Sequence, residues 1–271
     1  MRVIENGLSF NGVKHPLMHT LAALIFDVDG TLADNECDGH RVAFNQAFAE
    51  AGLDWYWDAE RYGELLQIMG GKERIRYYLS QDWPQRLHEP DIDEQINRLH
   101  AAKTHHYVAL LKTGAIPLRP GVQRLLEQAR QNDLRLAIAT TTTLINVTTL
   151  LRTTLGEASI DWFEVIAAGD VVPVKKPAPD IYQYALKALN LHPSACLALE
   201  DSANGLRAAR AAGIPVVVVN NAYTQDEDFS GALAVLDGFG DPETPATVIS
   251  GAAPMNGYVD IPSLRAWHHR R

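Results

Sequence analysis

The chain has 271 residues, of which 46% are hydrophobic and 21% charged; this suits one large soluble domain or a core with a sizeable insertion. Its formal net charge of −9 speaks against a nucleic-acid or anionic-membrane partner, although a local basic pocket can still bind phosphate. Only two cysteines occur, Cys37 and Cys196, at no metal-binding spacing; a reducing, cytoplasmic setting without a disulfide is expected.

Residues 1–20, MRVIENGLSFNGVKHPLMHT, lack the apolar stretch of a secretory leader and the Arg-rich, acid-poor character of a transit peptide. They read as an N-terminal extension, with Met18 as an alternative start. No apolar run in the chain has the length that spans a bilayer. The first strand is predicted over Ala22–Asp27, followed by Leu134–Thr140, Phe163–Ala167, Cys196–Glu200 and Val216–Asn220. Helical patterns separate the later runs, so the class is α/β, a doubly wound parallel sheet. More than a hundred residues divide the first run from the second, and they read as helical. Phe44, Ala47, Phe48 and Ala51 form one apolar face. Asp58 caps a helix that runs to Gly70-Gly71, and helices follow over Lys72–Leu79 and Ile92–Leu111. Pro117 and Pro120 mark the return to the sheet. The expected organisation is a core of 21–33 and 119–240, a helical cap of 34–118, and a tail of 241–271 lying on the core as loops and a short helix.

Ligands of a parallel sheet bind beyond the carboxyl ends of its strands. Four polar stretches fall there: DVDGT at 27–31, TTTT at 140–143, KKPAPD at 175–180 and EDS at 200–202. Buried carboxylates as close as Asp27, Asp29, Glu200 and Asp201 repel one another, and a divalent cation resolves that repulsion. All-oxygen ligands suit Mg²⁺; zinc would want His or Cys. A carboxylate beside Mg²⁺ can attack phosphorus, and a second one two residues on can move protons. Thr140 can donate a hydrogen bond to the transferring group, and Lys176 can offset its charge. Pro177 suits a first helical turn, while Ser202 and Gly213 suit the start and stop of a later helix.

These four motifs, in this order and with a helical insertion after the first, resemble the haloacid dehalogenase superfamily of aspartate-nucleophile phosphotransferases. The resemblance spans about 21–240. It implies that Asp27 is the nucleophile and Asp29 the general acid/base. It further implies that Asp27, the Asp29 carbonyl and Asp201 hold Mg²⁺, with Glu200 as a direct or water-mediated ligand. Thr140 and Lys176 take the second and third motif roles. Lys176 is preferred over Lys175 because it directly precedes PAPD. Thr141 can offer its backbone N–H to phosphate.

The insertion is expected to set specificity. IMGGKERI at 68–75 joins a helix start to basic residues, a suitable anion site. Lys103 can lie nearby, and Glu36 and His40 can meet sugar hydroxyls. DWYWD, GGKERI, LHAAKTHHY and ATTTT together are similar to the CbbY-type phosphatases, which hydrolyse the Rubisco inhibitor xylulose-1,5-bisphosphate to xylulose 5-phosphate. That similarity implies a distal-phosphate site of Gly71, Lys72 and Arg74 and a setting in carbon fixation. A monomer with a phosphorylated sugar as its only partner is expected. The alternatives are a β-phosphoglucomutase-like mutase, a phosphoglycolate phosphatase, and a non-catalytic phospho-ligand-binding protein on the same scaffold. Structural readings suffice for Thr142 and Thr143 as strand end, Trp55 and Trp57 as cap core, His105 and His106 as a solvated face, and Cys37 as a bystander.

Overall fold

The computed structural model describes residues 20–270. The N-terminal extension read in the sequence lies, but for Thr20, outside the described residues. The sheet has seven strands in the order β3-β2-β1-β4-β5-β6-β7. They are β1 (Ala23–Phe26), β2 (Arg135–Thr140), β3 (Phe163–Ala168), β4 (Cys196–Glu200), β5 (Val216–Val219), β6 (Ala234–Leu236) and β7 (Val248–Gly251). The first six run parallel and β7 pairs antiparallel with β6. The five strands predicted from apolar runs are all present. The short β6 and β7 were not predicted; β7 is four residues long and largely exposed.

Strand alternation divides the interior into two layers. Leu24 and Phe26 of β1 face one hydrophobic cluster and Ala23 and Ile25 the other, as expected of a strand covered on both sides. Helices α5 (Val122–Gln131), α6 (Leu144–Leu155) and α9 (Ile261–His269) cover the first face. Helices α7 (Asp180–Leu189) and α8 (Ala203–Ala211) cover the second. In α5, Val122, Leu125, Leu126 and Ala129 are the buried positions, a single stripe at helical spacing. The tail packs on the core through Ile261, Leu264 and Trp267 of α9. Among the described residues no helix is long and apolar enough to cross a membrane.

Between β1 and α5 stand α1 (Arg41–Glu50), α2 (Ala59–Leu65), α3 (Gly71–Asp82) and α4 (Ile92–Lys112). They enclose a third cluster, with Phe44, Phe48, Trp55, Trp57, Tyr62 and Tyr78 at its centre. Helix α4 joins two clusters: Ile92, Ile96 and Leu99 pack in the third, Tyr107 and Leu111 in the first. One long helix thus roots the aromatic layer in the sheet domain. Three local expectations are corrected. The helix capped by Asp58 ends at Leu65, and Gly70-Gly71 opens the next helix, with Gly70 at φ +96°. Ala51 is exposed and lies past the end of α1. Pro177 precedes α7 by a short turn instead of starting it.

Phe48 is fully buried and its ring meets Trp55 and Trp57 at 5.4 and 4.8 Å. Phe48→Ala is expected to cost about 3–5 kcal/mol of unfolding free energy, read from the urea midpoint. A change below about 1 kcal/mol would show that these rings do not form the core of the helical layer.

Candidate active site

Strand β1 sits between β2 and β4, where the strand order reverses; in such sheets the ligand crevice lies at this point. Four loops leave the carboxyl ends here. Asp27 directly follows β1 and donates its backbone N–H to the Leu199 carbonyl at 2.9 Å. Gly30 adopts φ +86°. A Cβ there would fall 1.9 Å from Asp201 Oδ2, so only glycine lets the turn lie against that carboxylate.

Lys176 is the buried charge around which these loops close. Its ammonium donates to Asp27 Oδ1 and to Glu200 Oε1, each at 2.6 Å. Tyr182 of α7 donates its hydroxyl to the same Glu200 oxygen. Lys175 points elsewhere, to the Gly169 carbonyl and Asp170. Burial pulls the Lys176 pKa down, but Asp27 and Glu200 outweigh it and the net shift is upward. Burial, with Glu200 and Asp29 close by, pushes the Asp27 carboxyl up to about 8 against the pull of Lys176. Burial raises Asp201 too, reinforced by Asp27 and Glu200.

Asp29 is held the other way. Burial raises its pKa, yet His40, Asn35 and Lys103 together hold the carboxyl down at about 2. Asn35 Nδ2 donates to Asp29 Oδ1 at 2.7 Å, and His40 Nε2 stands 3.0 Å from that oxygen. The His40 ring stacks on Tyr107, and its Nδ1 lies 2.6 Å from Lys103 Nζ. Both His40 and Lys103 are buried behind Asp29 and do not line the cavity. In this structure neither reaches the cavity directly, and Lys103 lies close enough to Arg74 for the two charges to repel. Burial lowers the Lys103 pKa to about 8 against the pull of Asp29 and Glu36.

A cavity of about 130 Å³ opens between sheet and helical layer, lined among others by Asp27, Asp29, Glu36, Arg74, Thr140, Thr141 and Asp201. From the helical side, Tyr62 donates its hydroxyl to Glu36 Oε2, and Arg74 Nη1 donates to the Tyr62 oxygen at 2.9 Å. Arg74 is buried and its Nε has no hydrogen-bond partner among the described residues. Gly71 begins α3 under His100, whose ring a Cβ at that position would meet at 2.6 Å. Lys72 spans the seam to the sheet domain and pairs with Asp170 at 2.7 Å, outside the cavity. Thr140 is buried at the end of β2, and its Oγ1 accepts from the Thr142 N–H at 3.3 Å.

The donor set fits a hard divalent cation. Asp27, Glu200 and Asp201 each present an oxygen, all within 4.8 Å of one another. Burial and mutual repulsion alone lift the first and last, and a bound cation would return both to the ionised form. Glu200 is fully buried, and one of its oxygens is taken by Lys176 and Tyr182.

Several site residues escaped the sequence reading. Tyr62 sits at a helical core spacing and its hydroxyl gives no sequence signal. Tyr182 and Asn35 are likewise recognisable only from their partners. Asn221, which donates to Asp201 Oδ2 at 2.7 Å, follows β5 at the strand end, and that position was a usable signal.

Residues 21–213 match the family model for haloacid dehalogenase-like hydrolases. The chain is 49% identical over 253 residues to the plasmid-encoded protein CbbY of Cupriavidus necator, covering 92% of this chain and 97% of that one. It resembles the crystal structure of CbbY from Rhodobacter sphaeroides in complex with phosphate at TM-score 0.74, with 47% identity over 82% of this chain and 96% of that one. A mutant of the same protein in complex with xylulose-1,5-bisphosphate matches at TM-score 0.75, with the same identity and coverage. The chain belongs to the haloacid dehalogenase-like hydrolases, and within them it is a phosphatase of the CbbY type.

Burial, with Lys103 and Lys72 nearby, pushes the His100 pKa down to about 4, against 6.5 for a free imidazole. Between those values the unfolded chain takes up a proton there that the folded chain does not. Stability from this group is therefore complete above pH 6.5 and is lost on acidification towards pH 4, by up to about 3 kcal/mol. Urea midpoints at pH 7 and pH 4.5 are expected to differ less in His100→Asn than in the parent chain. Equal differences would remove His100 as the cause.

Proposed function

We propose that the chain is a Mg²⁺-dependent sugar-bisphosphate phosphatase that works through an aspartyl-phosphate on Asp27. Its preferred substrate is xylulose-1,5-bisphosphate and its product xylulose 5-phosphate. The observation that carries this reading is one cavity lined both by Asp27, paired with buried Lys176, and by a buried, incompletely paired Arg74. One group suits the reacting phosphoryl, the other a second anion on the same small molecule. The substrate identity and a role in carbon fixation rest on similarity to the CbbY proteins, one of which was crystallised with that bisphosphate.

Asp27, Asp201 and the Asp29 carbonyl would hold Mg²⁺, which when bound offsets charge on the phosphoryl oxygens and the carboxylates. Glu200 would be a direct or water-mediated ligand of the same ion, and it is also the fixed partner that keeps Lys176 on Asp27. Lys176 occupies Oδ1 of Asp27, which leaves Oδ2 to attack phosphorus. The phosphorus–oxygen bond to the sugar breaks, and the sugar oxygen takes a proton from Asp29. A water then attacks the phosphorus and gives its proton to Asp29. The bond between phosphorus and Asp27 breaks, and inorganic phosphate leaves. Asp29 ends protonated within the closed site, the form the next leaving group needs, whereas in the substrate-free structure His40, Asn35 and Lys103 hold it ionised. Thr140 and the backbone N–H of Thr141 hold phosphoryl oxygens.

We assign 34–118 as the cap and 21–33 with 119–240 as the core. A cavity of about 130 Å³ is smaller than the roughly 300 Å³ at which pockets for larger ligands begin. The cap opens to admit substrate and closes to exclude water. Arg74, Tyr62 and Glu36 form the cap side of the closed site. Gly71 and Lys72 complete the distal-phosphate site once Lys72 leaves Asp170.

Asp27→Asn is expected to abolish phosphate release while ligand binding survives; unchanged release would end the nucleophile assignment. Arg74→Ala is expected to raise KM for xylulose-1,5-bisphosphate ten- to a hundredfold, the loss of a charged hydrogen bond of about 1.5–3 kcal/mol. It should change KM for a monophosphate little. Equal losses on both would place Arg74 outside the distal site. A substrate panel with ribulose-1,5-bisphosphate, β-glucose-1-phosphate and phosphoglycolate tests the identity. Isomerisation of β-glucose-1-phosphate without phosphate release would make the enzyme a mutase. Preference for phosphoglycolate would remove the bisphosphate reading.

A further inference from the structure

Arg119 lies on the segment that returns from the helical layer to the sheet. Its backbone N–H donates to the Leu32 carbonyl at 2.8 Å, so the outgoing and returning segments are tied together there. Its side chain makes no direct contact with the cavity. Instead the guanidinium donates to four backbone carbonyls from three strand-end loops. Nη1 reaches Gly30 and, at 3.1 Å, Val219; Nη2 reaches Asn220 at 2.6 Å and Asp237 at 2.7 Å. A planar group with fixed donors is suited to such a fan of acceptors, and an ammonium, with three donors on one atom, is not.

Two of these carbonyls lead straight to the carboxylates. Gly30 follows Asp29, and its backbone lies directly against the Asp201 carboxylate and the Asn221 amide. Asn220 precedes Asn221, whose Nδ2 holds Asp201 Oδ2 at 2.7 Å and whose Oδ1 accepts from the Tyr223 N–H at 2.9 Å. The guanidinium therefore fixes the spacing between the turn after β1 and the turn after β5. Asp201 is clasped between those two turns.

We infer that Arg119 is a positioning residue for the cation-binding carboxylates. It holds the Asp29-Gly30 turn and the Asn220-Asn221 turn at the separation Asp201 requires, and it isolates both from movement of the cap. This rests on the metal reading proposed above. In a purely structural role, Arg119 would staple strand ends and contribute only to stability. In the positioning role its loss loosens the cation site of protein that is still folded.

The test is calorimetric titration of the full, folded chain with Mg²⁺, in the absence of substrate, for the parent, Arg119→Lys, Asn221→Ala and the double variant. Arg119→Lys is expected to weaken Mg²⁺ binding about tenfold and to lower kcat about tenfold, with KM within about twofold. The double variant is expected to bind Mg²⁺ little more weakly than the worse single variant, because both changes release the same turn. Unaltered Mg²⁺ binding and kcat in Arg119→Lys, with only a lower Tm, would overturn the inference, and so would fully additive losses in the double variant. Failure of the parent chain to bind Mg²⁺ would instead overturn the metal reading. Where Arg119→Lys does not fold, Arg119→Gln, which keeps an amide donor for the Asn220 carbonyl, is held to the same outcomes.

Discussion

The buried ammonium of Lys176 is the constraint on which the site depends. An ammonium enclosed in protein costs several kcal/mol unless its partners compensate closely. Here Asp27 and Glu200 do so at 2.6 Å each. The pairing binds together three strand ends that are distant in sequence. It also explains why three carboxylates can crowd into one place: one cation of the protein neutralises part of their charge, and the remainder calls for a second cation. The oxygen-only donor set meets that demand with a hard metal. Tyr182 and the fully buried Glu200 then act as the wall against which Lys176 is held.

The helical layer contributes differently. Its core is aromatic, and Arg74 and Glu36 reach the cavity joined through the hydroxyl of buried Tyr62. Glu36 lies on the segment just after the first motif, so this unit bridges the layer and the sheet domain. Lys72 and Asp170 make a second, exposed bridge. Exposed pairs of this kind contribute about 0–1 kcal/mol, so this second bridge is weak. Arg119 sits at the base of the helical layer with its guanidinium committed to the strand ends of the sheet.

Much of this was legible in the sequence, for physical reasons that differ by residue. Strand runs of β1, β2 and β4 end abruptly in carboxylates or hydroxyls, and strand geometry puts those residues at one edge. The choice of Lys176 over Lys175 followed from PAPD and agrees with the geometry. Other parts depend on contacts between segments far apart in the chain. His40 and Lys103 are separated by 63 positions, and no local pattern shows that they pack on Asp29. Tyr62 and Tyr182 occupy apolar stripes, where a hydroxyl is silent until its partner is known. The Gly70-Gly71 pair carries both stop and start chemistry, and only the backbone of α3 shows that it starts a helix. Strands β6 and β7 are too short, and β7 too exposed, for periodicity to reveal them.

The central claim is that Asp27, held by Lys176, becomes covalently phosphorylated. Its most direct test is to quench the Mg²⁺-loaded enzyme during turnover of xylulose-1,5-bisphosphate, reduce it with borohydride, and map the modified residue by mass spectrometry. An acyl phosphate is reduced at the carboxyl carbon, so homoserine is expected at position 27, dependent on substrate and Mg²⁺. Homoserine elsewhere, or none at all while phosphate is being released, would contradict it.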